Sequence, residues 1–321
     1  MGVSDAHEVD ASSETVLASA WEKLPAQYRM PERTPSLEEA QRYCRELAES
    51  HYENFHVATW FLPKRLRPYF QSIYAYCRIS DDLGDEVGDA QQSLALLDFW
   101  KSELDACYRG VVRHPVFVAL AETIRVCTIP KEPFAALLVA FRQDQTVARY
   151  RTMEDVFGYC RNSANPVGHL VLYACGYRDA EMFALSDFTC TALQLANFWQ
   201  DVHQDYLRHR IYLPQEDMYR FGVAEEQIRD RRFTKEFRNL MEYEVGFAEQ
   251  LFQQGLPLLD RVDRELAVDL RLFSRGGQEI LRAIARQNYD VLRSRPVISK
   301  PRKAALLLRA VAAKLAARQA A

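Results

Sequence analysis

The sequence predicts an all-α fold in a single domain, and three observations carry that expectation. Apolar residues recur at helical spacing along nearly the whole chain, strand-type alternation is nearly absent, and no low-complexity linker divides the 321 residues. Forty-eight per cent of residues are hydrophobic and 26% are charged, with a formal net charge of −3. That is an ordinary globular balance, and it argues against nucleic acid as the partner. Twelve glycines are few for an α/β nucleotide-binding enzyme of this length. Neither a G-x-G-x-x-G nor a G-x-x-x-x-G-K-[ST] pattern occurs.

Taken in order, residues 1–35 read as a mobile N-terminal segment, because Pro25, Pro31 and Pro35 interrupt any helix. A helical domain is expected over 36–321, with helices near 36–51, 67–87, 91–109, 115–125, 131–149, 153–175, 180–185, 187–206, 215–220, 224–254, 260–273, 276–293 and 301–319. Pro68 suits the first turn of the second of these, Phe70, Ile73, Tyr74 and Cys77 give it an apolar stripe, and Gly88 is placed to stop it. The N-terminus lacks the apolar core of a signal peptide and no apolar run is long enough to span a bilayer. The seven cysteines include no C-x-x-C pair. They suit a reducing cytosol, where cysteine serves as a small hydrophobe.

Chemistry concentrates in two acidic motifs. The first is Asp81-Asp82-Leu83-Gly84-Asp85-Glu86 at the end of the 67–87 helix. Four residues rise about 6 Å and turn about 40° beyond a full circle, so Asp81 and Asp85 share one face, and the stripe 70, 74, 77 is expected to carry them inward. The second is Gln194, Asn197, Asp201 and Asp205, which fall within about 80° of one another on a helix whose surrounding residues include Leu193, Leu195, Ala196, Phe198, Trp199 and Val202. A single polar stripe on a buried helix lines a cavity. Both motifs end at helix C-termini, where the macrodipole disfavours negative charge, so a cation is expected among them. Mg2+ takes hard oxygen ligands and shares phosphate oxygens. No His/Cys cluster of zinc spacing competes. Arg78, one turn before Asp81, and Arg210, in Arg210-Ile211-Tyr212-Leu213-Pro214, suit bidentate bonding to a diphosphate.

At these residues the chain resembles the squalene/phytoene synthase family over about His51 to Pro296. The resemblance implies an isoprenoid-synthase fold of helices around a central cavity. It implies Mg2+ held by Asp81, Asp82 and Asp85 on one wall and by Asn197, Asp201 and Asp205 on the other. Tyr74, Arg78, Gln194 and Tyr289 match positions that contact the diphosphate or the prenyl chain, and His51 and Asn54 open a substrate-contacting segment. The segments Glu53 to Pro63, Lys64 to Pro68, Ser163 to Gly168 and Tyr289 to Pro296 are similar to the branch that makes hydroxysqualene, in bacterial hopanoid gene sets. That branch implies presqualene diphosphate as substrate. The chain departs from the family pattern at Gln200, where an arginine is usual, and at Asn162 and Asn165-Pro166 in the cavity wall. Tyr159, Asn162 and Asn165 are the candidates to hold the water that captures the cation.

Two alternatives stand beside this expectation. One is a head-to-head transferase that makes presqualene diphosphate or phytoene; the other is a non-catalytic scaffold, against which the full set of aspartates speaks. The chain contains eight Lys or Arg and no acidic residue from Val291 onward. Its last helix therefore reads either as a surface anchor at the inner face of the plasma membrane or as a packed terminal helix.

Overall fold

A computed structural model describes residues 11–50 and 63–319. Among them the chain forms fourteen α-helices and two 3-10 turns, Ala26–Tyr28 and Leu256–Asp260. The helices are α1 Ala11–Glu22, α2 Leu37–Ser50, α3 Arg67–Asp85, α4 Ala90–Tyr108, α5 Pro115–Cys127, α6 Glu132–Gln143 and α7 Met153–Ser163. They continue with α8 Asn165–Ala174, α9 Ala180–Leu207, α10 Gln215–Phe221, α11 Glu225–Arg229, α12 Lys235–Gly255, α13 Arg264–Arg286 and α14 Lys300–Gln319. No strand is present among the described residues; one isolated parallel bridge joins Arg149 and Ile211. None of the described helices is long and apolar enough to cross a membrane. All seven cysteines are free thiols.

Two buried clusters make up most of the core. The first, built mainly by α2 to α6 with additions from α1, the turn after it and α8, is organised around Tyr76, Trp100, Phe117 and Phe134, whose rings meet edge-on, tilted or offset. The second surrounds α9 and α12 with Trp199, Phe237, Leu240, Met241 and Phe252. Helix α9 is the axis of this half, packed by α8, α12 and α13. Its neighbours approach through glycines. A Cβ on Gly277 would lie 2.4 Å from the Phe252 ring and 2.8 Å from Leu193, and one on Gly168 would lie 2.3 Å from the Ser186 hydroxyl.

Several boundaries differ from the sequence reading, each for a local reason. The expected mobile segment through residue 35 is helical from Ala11 and anchored, because Leu24 and Tyr28 are buried in the first cluster. The helix expected over 131–149 stops at Gln143. The one expected over 153–175 divides at Ala164, two residues before Pro166, which cannot supply a backbone N–H. Conversely, α9 and α13 each run unbroken where two helices were expected; α13 passes through Gly276-Gly277 because contact with Phe252 requires the missing side chain. The 224–254 helix breaks at Arg231, which takes φ +51°, and restarts where the Thr234 hydroxyl accepts from Phe237 N.

The terminal helix α14 is docked. Lys314 is buried against Asp269 at 2.6 Å and donates to the Glu265 carbonyl at 2.7 Å, while Arg302 reaches Glu279 at 2.9 Å. Of the two roles open for this helix, packing is realised on one face.

Two predictions follow from this packing. Gly277→Ala should destabilise the protein by about 1–3 kcal/mol, the usual cost of overpacking, read as a lowered melting temperature. Glu244 is fully buried on α12 beside Asp217, and burial, then the Asp217 charge, pushes its pKa up to about 9. The folded state therefore binds a proton that the unfolded chain releases above its ordinary carboxyl range, so stability is lost as pH rises toward 9. Glu244→Gln should flatten that loss, and thermal melts of both proteins between pH 5 and 8 will show it.

Candidate active site

The end of α3 presents two faces. Phe70, Ile73, Tyr76, Ser80 and Leu83 are buried in the core, while Tyr74, Cys77, Arg78 and Asp81 line a half-open side that ends at the more exposed Asp85. The stripe carrying Asp81 and Asp85 thus lies beside the core face rather than continuing it. Asp82 belongs to the core face. Its carboxylate is buried, accepts both Arg78 Nε at 3.0 Å and the Tyr28 hydroxyl at 2.6 Å, and pairs again with the Arg78 guanidinium. Asp82, expected from the sequence as a metal ligand, is thus buried and held by Arg78 and Tyr28 instead of standing on the half-open side with Asp81 and Asp85. Arg78 is likewise engaged, and its second contact is Asp81 at 3.8 Å. Tyr28, from the segment expected to be mobile, becomes part of the support for this wall.

On α9 the polar stripe is where the periodicity put it. Asn197 is exposed and Gln194, Asp201 and Asp205 are half-buried, whereas Leu195, Ala196, Phe198, Trp199, Gln200, Val202 and His203 are buried. A cation reaches Asp201 from far along the chain. Arg295 donates through Nε at 2.5 Å and through its terminal nitrogen at 2.9 Å. Gln200 fastens the same segment, accepting from Arg295 at 3.1 Å and donating to the Pro296 carbonyl at 2.5 Å. Where the family pattern carries an arginine on the helix, this chain has a buried glutamine that holds an arginine from elsewhere.

The link between the two acidic ends is the stretch 143–150. Gln145 donates to the carbonyls of Gly84 and Phe141, each at 3.1 Å, and so clamps the end of α3 to the end of α6. Ile211 N donates to the Ala148 carbonyl and Gln215 N to the Tyr150 carbonyl, both at 2.9 Å, and so fixes the strip that follows α9. Arg210 is thereby delivered between the motifs. It donates to Asp85 Oδ1 at 3.0 Å and to the Asp144 carbonyl at 3.4 Å, and its charge also acts on Asp205. Beside it stands an aromatic wall: Phe198 stacks on Tyr212 at 3.6 Å between centroids, and Tyr150 and Tyr159 adjoin Tyr212 at 5.5 and 5.7 Å.

Asp144 was missed by sequence reasoning. It caps α6 within the polar run Gln143-Asp144-Gln145-Thr146, which reads as an ordinary helix end. Its Oδ2 accepts the Tyr159 hydroxyl at 2.9 Å, while its Oδ1 is buried without a partner. Arg295 was singled out only as part of a segment pattern, and Tyr28 not at all. No periodicity could have found them, because each reaches the site by long-range packing.

Other expected residues lie elsewhere. His51 and Asn54 fall outside the described residues. Asn165 is buried at the start of α8, and its side-chain oxygen accepts from the Thr191 hydroxyl at 2.9 Å, which ties α8 to α9. Asn162 donates to the Gly158 carbonyl at 3.3 Å. Tyr289 takes φ +65° with its ring 5.6 Å beneath Arg238, and its charged neighbours are Glu242, Arg238 and Glu249 rather than the aspartates. The structure does not bring it to the acidic cluster.

Burial and neighbouring carboxylates raise the acids of the cluster above their ordinary range. Desolvation, then the charge of Asp85, pushes Asp81 up to about 6. Desolvation raises Asp144 to about 6 against the opposing pull of Arg210. Desolvation, then Asp201, raises Asp205 to about 7, and Asp205 Oδ2 is buried with no hydrogen-bond partner. Among the described residues no three His, Cys, Asp or Glu side chains are close enough to hold a metal unaided. Mg2+ keeps waters and takes phosphate oxygens, so it does not require an all-protein cage. Asp81, Asp85, Asn197, Asp201 and Asp205 are the residues that would hold it. Their carboxylates must be ionised to do so. The stabilising shift produced by Mg2+ in a thermal melt should therefore grow from pH 5.5 to 7.5 and shrink in Asp205→Asn; a shift flat across that range would contradict the assignment.

Comparison with known proteins agrees with this arrangement. The squalene/phytoene synthase family model matches residues 48–302. A 15-cis-phytoene synthase of Synechococcus elongatus is 30% identical over 288 residues, 84% of this chain and 91% of its own. The crystal structure of squalene synthase HpnC from Alicyclobacillus acidocaldarius superposes with a TM-score of 0.76 at 44% identity, covering 84% of this chain and 98% of that one. A ligand-bound dehydrosqualene synthase gives 0.78 at 27% identity, over 86% of this chain and 96% of that one. The all-α fold, the paired acidic helix ends and these matches together place the chain in the squalene/phytoene synthase family, enzymes of isoprenoid biosynthesis that act on prenyl diphosphates.

Proposed function

We propose that the chain converts presqualene diphosphate and water to hydroxysqualene and diphosphate in a Mg2+-dependent reaction. The observation that carries the reading is the juxtaposition of two acidic helix ends, joined through Arg210, with the stacked wall of Phe198, Tyr212, Tyr150 and Tyr159. One side suits a metal-bound diphosphate; the other offers π faces to a carbocation. Two observations support this reaction within the family. Identity is 44% to the HpnC squalene synthase against 30% to the cyanobacterial phytoene synthase. The chain also departs from the family's tyrosine and glycine at Asn162 and Asn165-Pro166, at the junction of α7 and α8.

Bound Mg2+ would supply Lewis-acid stabilisation of the charge that grows on the leaving diphosphate. Arg210 and Arg295 add two guanidiniums suited to the same oxygens. Cleavage of the C–O bond leaves a cyclopropylcarbinyl cation, which rearranges beside the aromatic wall. A water oxygen then forms the new C–O bond, and its proton leaves with the diphosphate or to solvent. Tyr159 is the residue we assign to hold that water: its hydroxyl oxygen keeps lone pairs while its proton goes to Asp144, whereas the Asn165 carbonyl is occupied by Thr191.

A second reading, a transferase joining two prenyl diphosphates, is favoured by the phytoene synthase matches. Incubation with Mg2+ in oxygen-18 water separates the two. Presqualene diphosphate should give hydroxysqualene carrying one heavy oxygen, and farnesyl diphosphate alone should give no C30 product; a C30 product from farnesyl diphosphate would establish the second reading instead. Asp201→Asn should lower turnover by at least about 100-fold with an unchanged circular dichroism spectrum.

A further inference from the structure

The two last helices, α13 and α14, carry cations of two kinds. Arg282, Arg286 and Arg302 all pair with Glu279, and Lys314 pairs with Asp269. These four charges knit α14 to the body of the protein. Arg271, Arg275 and Arg309 differ. They are exposed, none has a carboxylate partner among the described residues, and all three line one groove between the helices.

The groove follows from helical spacing. Positions 268, 271, 272 and 275 of α13 face positions 306, 309, 310 and 313 of α14, each set at i, i+3, i+4 and i+7. Its apolar lining includes Val268, Leu272 and Leu306, and its volume is about 210 Å³. Three unneutralised guanidiniums around an apolar floor match a ligand that is anionic at its head and hydrocarbon behind it. Elsewhere on α14, Leu308 and Leu315 are 70% and 57% exposed, and none of the described residues covers them. No acidic residue follows Asp290 to oppose a negative surface.

We infer that this groove seats the phosphate headgroup of an anionic membrane lipid, with α14 lying on the bilayer surface. The chain as a whole carries a net charge of −3, so this basic patch is the part that an anionic leaflet would select. Such a surface would bring the enzyme to a substrate with a C30 chain, which partitions into lipid. Because vesicle binding is read without turnover, the failure of this inference and the failure of the catalytic proposal are separate results.

The test is co-sedimentation of the full chain with vesicles of phosphatidylcholine alone or mixed with phosphatidylglycerol at low salt. The wild type should pellet with the mixed vesicles and not with the neutral ones. Each basic residue at an anionic surface contributes about fivefold, so Arg271→Gln/Arg275→Gln/Arg309→Gln should weaken binding by about 100-fold, with an unchanged thermal melt. If the triple variant melts early, the single variants Arg271→Gln and Arg309→Gln should each lose about fivefold. Equal pelleting of wild type and folded variants, or equal pelleting with neutral vesicles, overturns the inference. Calorimetric binding of inorganic phosphate that disappears in the triple variant while vesicle binding persists also overturns it, and gives the groove to a free anion.

Discussion

The account depends on one confrontation of like charges. The C-terminal ends of α3 and α9 both present carboxylates toward Arg210, against the helix dipole and against the like charges of their own helix end. Within the protein itself Arg210 answers part of that charge by bonding Asp85 and acting on Asp144 and Asp205. Arg295 answers another part at Asp201. What remains appears as raised carboxyl pKa values and as the unpartnered buried oxygens of Asp144 and Asp205. This residual negative charge is the physical basis of the proposed metal and diphosphate chemistry.

Holding such a site open requires rigid surroundings, and much of the fold serves that need. Asp82, adjacent in sequence to a motif residue, is turned into the core, where Arg78 and Tyr28 fix the end of α3. Gln145 secures the same end from α6, and the short bridge from Arg149 to Ile211 secures the strip that carries Arg210 and Tyr212. The central helix α9 is held by neighbours that approach through Gly168 and Gly277, so its polar stripe keeps one orientation.

The legibility of these features in the sequence divides along physical lines. Helix content and the α9 stripe were readable because a 3.6-residue period is a local property: Gln194, Asn197, Asp201 and Asp205 cannot avoid sharing a face. The rotation of α3 was harder, since a pattern at 70, 74 and 77 does not say which of two adjacent faces meets the core; the structure puts Asp82 inside and Asp81 beside it. Helix breaks were misjudged where tertiary contact overrode propensity, as when α13 passes through Gly276-Gly277. Asp144 and Tyr28 were invisible, and Arg295 was marked only by its segment, because each is brought to the site by tertiary packing and no helical period marks such a residue.

The central claim is that the two acidic helix ends share cations and a diphosphate between them. The most direct measurement is a crystal structure of the protein soaked with Mn2+ and a non-ionisable thiolodiphosphate analogue of the prenyl substrate, with manganese located by anomalous scattering. The account predicts manganese in contact with Asp81 or Asp85 and also with Asp201 or Asp205, bridged by the diphosphate oxygens. Manganese and diphosphate bound away from these helix ends, or bound by one end alone with the other facing bulk water, would contradict it.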